Sequence, residues 1–199
     1  MTKKPGWWFA IPLALGCASA AGADADFTDY FHHDCYEMTL MSGAMFSPIG
    51  ADKGRSTEDY TMSGLQLGWM FTDVKGGGWL RGNWEVSLEA MGGAVFDGKG
   101  SYIAGGTVWL RYNFVQPNWR VVPYLQAGGG AEGTDMDREL IGQTFNFNLD
   151  VAAGMRCFVA PNWALNLEFR YEHLSNAKIS KHDIGINAVG PMVGVSYFF

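Results

Sequence analysis

Beyond residue 36 the chain alternates apolar and polar positions with a period of two, in stretches of ten or more residues separated by clusters of Gly, Pro, Asn and Asp. That is the pattern of β-strands whose two faces meet different media. Eight such strands are predicted, over 37–48, 58–72, 80–96, 101–116, 119–133, 143–159, 162–176 and 186–199. The third sets Trp84, Val86, Leu88 and Ala90 against Asn83, Glu85, Ser87 and Glu89. The sixth sets Phe145, Phe147, Leu149 and Val151 against Asn146, Asn148, Asp150 and Arg156. The seventh sets Trp163, Leu165, Leu167, Phe169 and Tyr171 against Asn166, Glu168, Arg170 and Glu172.

Parity alone does not say which face turns inward. A soluble sandwich or a lipid-binding barrel buries the apolar face, whereas a membrane barrel exposes it. Three features favour the membrane barrel. The strands run about 12 to 17 residues, where five or six is usual and 9–11 suffice to cross a bilayer with tilt. Aromatic residues gather at strand ends, among them Trp69, Phe71, Trp79, Trp119 and Trp163, where interfacial girdles sit. The chain stops on a strand whose last residue, Phe199, resembles the C-terminal signal of bacterial outer-membrane proteins. Connections that alternate between short (73–78, 116–118, 160–162) and mostly longer (47–58, 131–143, 176–186) fit the same architecture. The predicted fold class is therefore all-β, an eight-stranded antiparallel transmembrane barrel whose even strand count lets the sheet close without a free edge.

Composition sharpens this picture. With 48% hydrophobic residues the mean hydropathy is only −0.04, because apolar positions are interleaved rather than gathered into long runs, and a helical membrane bundle is excluded. At 15% aromatic and 17% charged, the 199-residue chain is not intrinsically disordered. Fourteen Lys and Arg against 20 Asp and Glu, a net charge of −6, leave no electrostatic footprint for nucleic acid. At the N-terminus Lys3 and Lys4 precede an apolar run from Trp7 to Cys17 and then the small residues 18–23, which reads as a secretory signal cleaved after Ala20 or Ala23. The run falls short of the roughly 20 residues a membrane anchor needs. The expected organisation is a signal peptide over 1–23, a periplasmic N-terminal segment over 24–36 and the barrel over 37–199. Cys35 and Cys157 both fall towards the periplasmic side, but on strands that are not neighbours, which disfavours a disulfide between them.

Chemistry enters where the apolar parity is interrupted. On the seventh strand the outward series Phe169, Tyr171 continues as His173 and Ser175. Residues two apart on a strand project the same way, about 6.5–7 Å apart at Cα, so a base and a nucleophile in this relation can meet. If the following loop is symmetric about Ser180, the return strand places Asn187 opposite His173 on the same outer face. An amide there can fix the tautomer and orientation of the ring. The three adjacent residues His32, His33 and Asp34 point in alternating directions on an extended chain and do not read as a metal site.

The segment His173-Leu174-Ser175-Asn176-Ala177, followed by Asp183-Ile184-Gly185-Ile186-Asn187 and a final strand, resembles the active-site stretch of the PagL-type lipid A deacylases. The resemblance implies an eight-stranded outer-membrane barrel that hydrolyses a 3-O-linked acyl chain of lipid A with a Ser-His-Glu triad on its outer surface. Carried over, His173 takes the place of the base, Ser175 that of the nucleophile and Asn187 that of the acidic third member. Asn187 is a departure, since an amide orients an imidazole but does not stabilise imidazolium by charge. Two further departures are Lys178, in place of a small residue, and Asp183, in place of an amide. Asn176 and the loop N–H groups are the expected oxyanion donors, and Asp183 is a positioning residue or a substitute acid.

No metal or organic cofactor is implied. The implied partners are lipid A, or lipopolysaccharide, in the outer leaflet of a Gram-negative outer membrane, with room for a homodimer and no nucleic acid. The alternatives are a non-catalytic structural outer-membrane barrel and a soluble periplasmic lipid-binding barrel.

Overall fold

The computed structural model describes residues 27–47 and 57–199. The predicted signal peptide over 1–23 lies outside the described residues. Eight strands are present: β1 (Tyr36–Met45), β2 (Asp59–Met70), β3 (Gly82–Asp97), β4 (Tyr102–Phe114), β5 (Val121–Thr134), β6 (Phe145–Ala160), β7 (Trp163–Ser175) and β8 (Ile186–Phe198). Each pairs antiparallel with its neighbour in the chain, and β1 pairs with β8 to close the barrel. Strand number and order match the sequence pattern, while most observed ends fall one to three residues short, because the alternation runs on into the turns, and four, at Tyr36, Asp97, Thr134 and Ala160, reach one residue further.

The apolar face is the outer one. Leu40, Leu88, Leu149 and Phe169 stand exposed on the wall, whereas Glu37, Glu85, Glu89, Arg111, Arg156 and Arg170 are buried in the lumen. Ionised groups survive there only when paired and hydrogen-bonded. Arg156 is fully buried, donates from Nη1 to Asn113 Oδ1 at 2.5 Å and from Nη2 to Glu85 Oε2 at 3.0 Å, and pairs with Glu37. Arg111 reaches Glu85 at 2.9 Å, Gln126 at 2.7 Å and Gln66 at 2.7 Å. Arg170 binds Glu89 at 3.0 and 3.2 Å and Glu168 at 3.0 Å, and lies 4.8 Å over the Trp109 ring. Gly128, paired with Trp109 across β4 and β5, makes room for that indole, since a Cβ there would stand 2.9 Å from Trp109 Cδ2.

The lumen is not polar throughout. At the end holding the chain termini, a 3-10 helix (Phe27–Phe31) packs Phe27 and Phe31 against Phe158 and Phe198, and Asn83 Nδ2 donates to Phe31 O at 2.6 Å. The described part of the expected N-terminal segment, 27–36, thus folds back as a stopper. At the other end, Met41, Met45, Met62, Met136, Leu140, Ile141 and Leu174 form a second apolar cluster beneath the loops. Strand parity misses both seals because they recruit residues from outside the strands as well as the last inward positions within them. Cys35 is a buried free thiol whose pKa is raised by burial, and it forms no bridge to Cys157.

At the loop end the carboxylate of Asp135 accepts from Ser101 N at 2.7 Å, Tyr102 N at 3.0 Å and Ser101 Oγ at 2.7 Å. These bonds hold its pKa down at about 2. The folded pKa is depressed, so the contribution is complete above the ordinary carboxylate range and is lost as pH falls towards 2.

Two tests follow from this architecture. Arg156→Ala leaves Glu37 and Glu85 buried without their shared cation and is expected to cost about 3–5 kcal/mol, read from urea unfolding in detergent micelles; an unchanged midpoint would contradict the role given to the lumen network. Asp135→Asn is expected to speed amide exchange at Ser101 and Tyr102 near neutral pH, with the interior of β4 unaffected.

Candidate active site

Tyr171, His173 and Ser175 occupy successive outward positions at the loop end of β7, each half-buried. The β7–β8 register pairs His173 directly with Asn187. His173 Nδ1 lies 2.8 Å from Asn187 Oδ1, and the Tyr171 hydroxyl donates to the same oxygen at 2.7 Å. An amide oxygen only accepts, so Nδ1 carries a proton, and in the neutral ring the lone pair falls to Nε2. On the other side of the ring stands Gly185, with φ of 79°; a Cβ on it would lie 2.9 Å from His173 Cε1. The imidazole is therefore gripped between a hydrogen bond on one edge and bare backbone on the other.

Ser175 shares the outward face with His173. Among the described residues no hydrogen bond joins its Oγ to the ring, and the two would meet by side-chain rotation. Across the sheet, Leu149 pairs with His173 and Phe147 with Ser175, so the polar positions are set into an apolar wall.

The loop after Ser175 is held by its own polar groups. Asn176, fully buried, donates from Nδ2 to Ile141 O at 2.8 Å and His182 O at 2.6 Å, and its main-chain N–H goes to Asp183 Oδ1 at 2.9 Å. The side-chain amide expected near an oxyanion is thus committed to the loop. Asp183 Oδ2 accepts from Lys178 N at 2.6 Å. The main chain takes positive φ at Ala177 (53°), between these two donors, and at Lys178 (63°). The loop also rests on a short helix, α1 (Arg138–Ile141): the N–H groups of Ile184 and Gly185 both donate to Leu140 O, at 2.9 and 3.0 Å.

No carboxylate among the described residues is hydrogen-bonded to His173. Glu172 points into the lumen and accepts from the Tyr60 hydroxyl, as its parity predicts, and Asp183 serves the loop main chain. The described residues contain no group of three or more His, Cys, Asp or Glu that could hold a metal ion. Sequence reasoning passed over Tyr171 and Gly185. The first sits on the same outward parity two residues before His173, and the second is the lone glycine of the Asp183-to-Asn187 segment.

Such an arrangement sets a hydroxyl on the same outward face as an imidazole oriented by an amide, two of the components of acyl transfer. A family model described as lipid A 3-O-deacylase (PagL) matches residues 60–196. Among solved structures, the outer-membrane enzyme PagL aligns with a TM-score of 0.57 at 18% identity, covering 79% of this chain and 97% of that one. Neisserial surface protein A aligns with a TM-score of 0.59 at 17% identity, covering 83% and 97%. The N-terminal β-barrel domain of Pseudomonas aeruginosa OprF gives 0.51 at 14% identity, covering 84% and 98%. At these identities the three structures establish the fold alone. No curated protein sequence matches the chain.

Gly185→Ala should push the imidazole off Asn187. The expected result is a changed ¹⁵N resonance of His173 Nδ1 in a barrel that keeps its heat-modifiable migration; an unmoved resonance would show that Gly185 does not position the ring.

Proposed function

The chain belongs to the lipid A 3-O-deacylase (PagL) family, and from that premise we propose that it is an outer-membrane esterase that removes a 3-O-linked acyl chain from lipid A. The observation that carries this reading is the outward-facing pair of His173 and Asn187, joined at 2.8 Å on a wall that is otherwise apolar around it. A polar pair on a lipid-facing surface is costly unless it has work to do there.

Ser175 is the nucleophile. As its Oγ attacks the ester carbonyl, the hydroxyl proton passes to Nε2 of His173, and the imidazolium then returns it to the departing lipid A alkoxide. Water repeats the sequence on the acyl-enzyme and releases the fatty acid. Asn187, anchored by Tyr171, keeps Nδ1 protonated so that Nε2 stays basic. It lends no negative charge to the imidazolium, so the step is slower than with a carboxylate in its place. Asn176 and Asp183 shape the loop that carries the main-chain donors. Phe147 and Leu149 offer the acyl chain an apolar bed beside the nucleophile.

Sidedness supports the substrate. The termini lie at one end of the barrel and β7 runs away from them, so periplasmic termini put Ser175 at the outer rim, at the depth where lipid A esters lie. Export by a cleaved leader over 1–23 belongs to this proposal, as does contact of the exposed Lys178 and Lys181 with lipid A phosphates.

Mass spectrometry of lipid A from cells producing the protein tests the reading. Loss of one 3-hydroxyacyl chain is expected, and Ser175→Ala or His173→Ala should lower the rate by roughly 10³-fold or more. Asn187→Ala should cost about 10²-fold, whereas Asn187→Glu should match or exceed the wild type. Unchanged lipid A from well-folded wild-type barrel would favour a non-catalytic structural barrel instead.

A further inference from the structure

The loop after Ser175 already holds an anion, and that anion belongs to the protein. Asn176 follows Ser175, so covalent geometry alone keeps its nitrogen within about 5 Å of Ser175 Oγ. The N–H that follows a serine nucleophile is a recurrent oxyanion donor. Here it points to Asp183 Oδ1 at 2.9 Å, and the Lys178 N–H points to Oδ2 of the same carboxylate at 2.6 Å. Ala177, at positive φ, turns the main chain between the two donors, and both converge on one carboxylate. Main-chain N–H groups that converge in a turn form an anion-binding concavity. Among the described residues Asp183 has no ion pair with Lys178 or Lys181; its charge is met by main-chain donors.

We propose that Asp183 is an internal occupant of the oxyanion cradle, a carboxylate that competes with the tetrahedral intermediate for the N–H groups of Asn176 and Lys178. The proposal rests on the esterase reading above. A carboxylate and an oxyanion are both negative and both accept, so the two do not share the cradle. Attack by Ser175 therefore requires Asp183 to withdraw, and turnover is held below what the site can deliver. The anchors of Asn176 to Ile141 O and His182 O do not involve Asp183 and keep the main chain turned once the carboxylate leaves.

Asp183→Asn separates a competitor from a mere strut. The amide is isosteric, uncharged and able to accept from only one of its two terminal atoms, so it frees a donor. In the purified full-length protein in detergent, kcat for lipid A deacylation is expected to rise by about tenfold with KM unchanged. A strut predicts the opposite, and a kcat that falls or stays the same overturns the proposal. A second measurement reads the cradle whatever the turnover. In Asp183→Ala, added formate should shift the amide ¹⁵N–¹H resonances of Asn176 and Lys178 saturably, while the wild type, its cradle filled, should not respond. No response in the variant overturns the cradle. Absence of turnover in wild type and Asp183→Asn alike, with the formate response present, locates the failure in the esterase reading and overturns the competition with it.

Discussion

Everything in this structure depends on a strand wall that has to satisfy its own backbone. A surface coated with Leu, Val, Phe and Trp offers no water to unpaired N–H and C=O groups, so the sheet closes on itself, β1 against β8, and no edge is left. Closure separates the two parities completely. Outward positions meet an apolar medium, and inward positions meet each other in a lumen too narrow to leave ionised groups solvated. The Arg111, Arg156 and Arg170 networks are the consequence, each guanidinium spread over two or more acceptors.

The same closure builds the site. A two-residue slip in the β7–β8 ladder would keep every apolar residue outward and yet separate His173 from Asn187. Register is held in the lumen behind the wall, where Glu168 and Arg170 join the Arg network and Asn166 Nδ2 donates to Ser196 Oγ at 2.7 Å. At the rim, Leu140 on α1 takes two N–H groups from the segment that leads into β8. The site is thus placed by packing and hydrogen bonds that lie outside it, while its exposed face is free to meet lipid. On the reading proposed above, the Asp183 carboxylate sits on the two main-chain donors that acyl transfer would use.

Much of this was legible in the sequence because a membrane barrel writes its architecture with a period of two. Strand number and the pairing of His173 with Asn187 follow from parity and a symmetric loop, and the direction of each face from strand length, the aromatic strand ends and the terminal Phe199. Three things escaped the pattern for a physical reason. The aromatic stopper of Phe27 and Phe31 and the methionine-rich seal draw on residues outside the strands, where no alternation exists. The commitment of Asn176 to Ile141 O and His182 O depends on how two loops pack, which neither loop encodes by itself. Gly185 matters for an atom it lacks, and only the neighbouring imidazole reveals that.

The central claim is that the polar residues interrupting the apolar coat form one reactive unit at the membrane surface. Covalent labelling tests it most directly: the folded barrel in micelles is treated with a long-chain fluorophosphonate and the modified peptide is mapped by mass spectrometry. The account predicts a single adduct on Ser175 that disappears in His173→Ala. An adduct on another serine, or labelling of Ser175 that persists without His173, would contradict it.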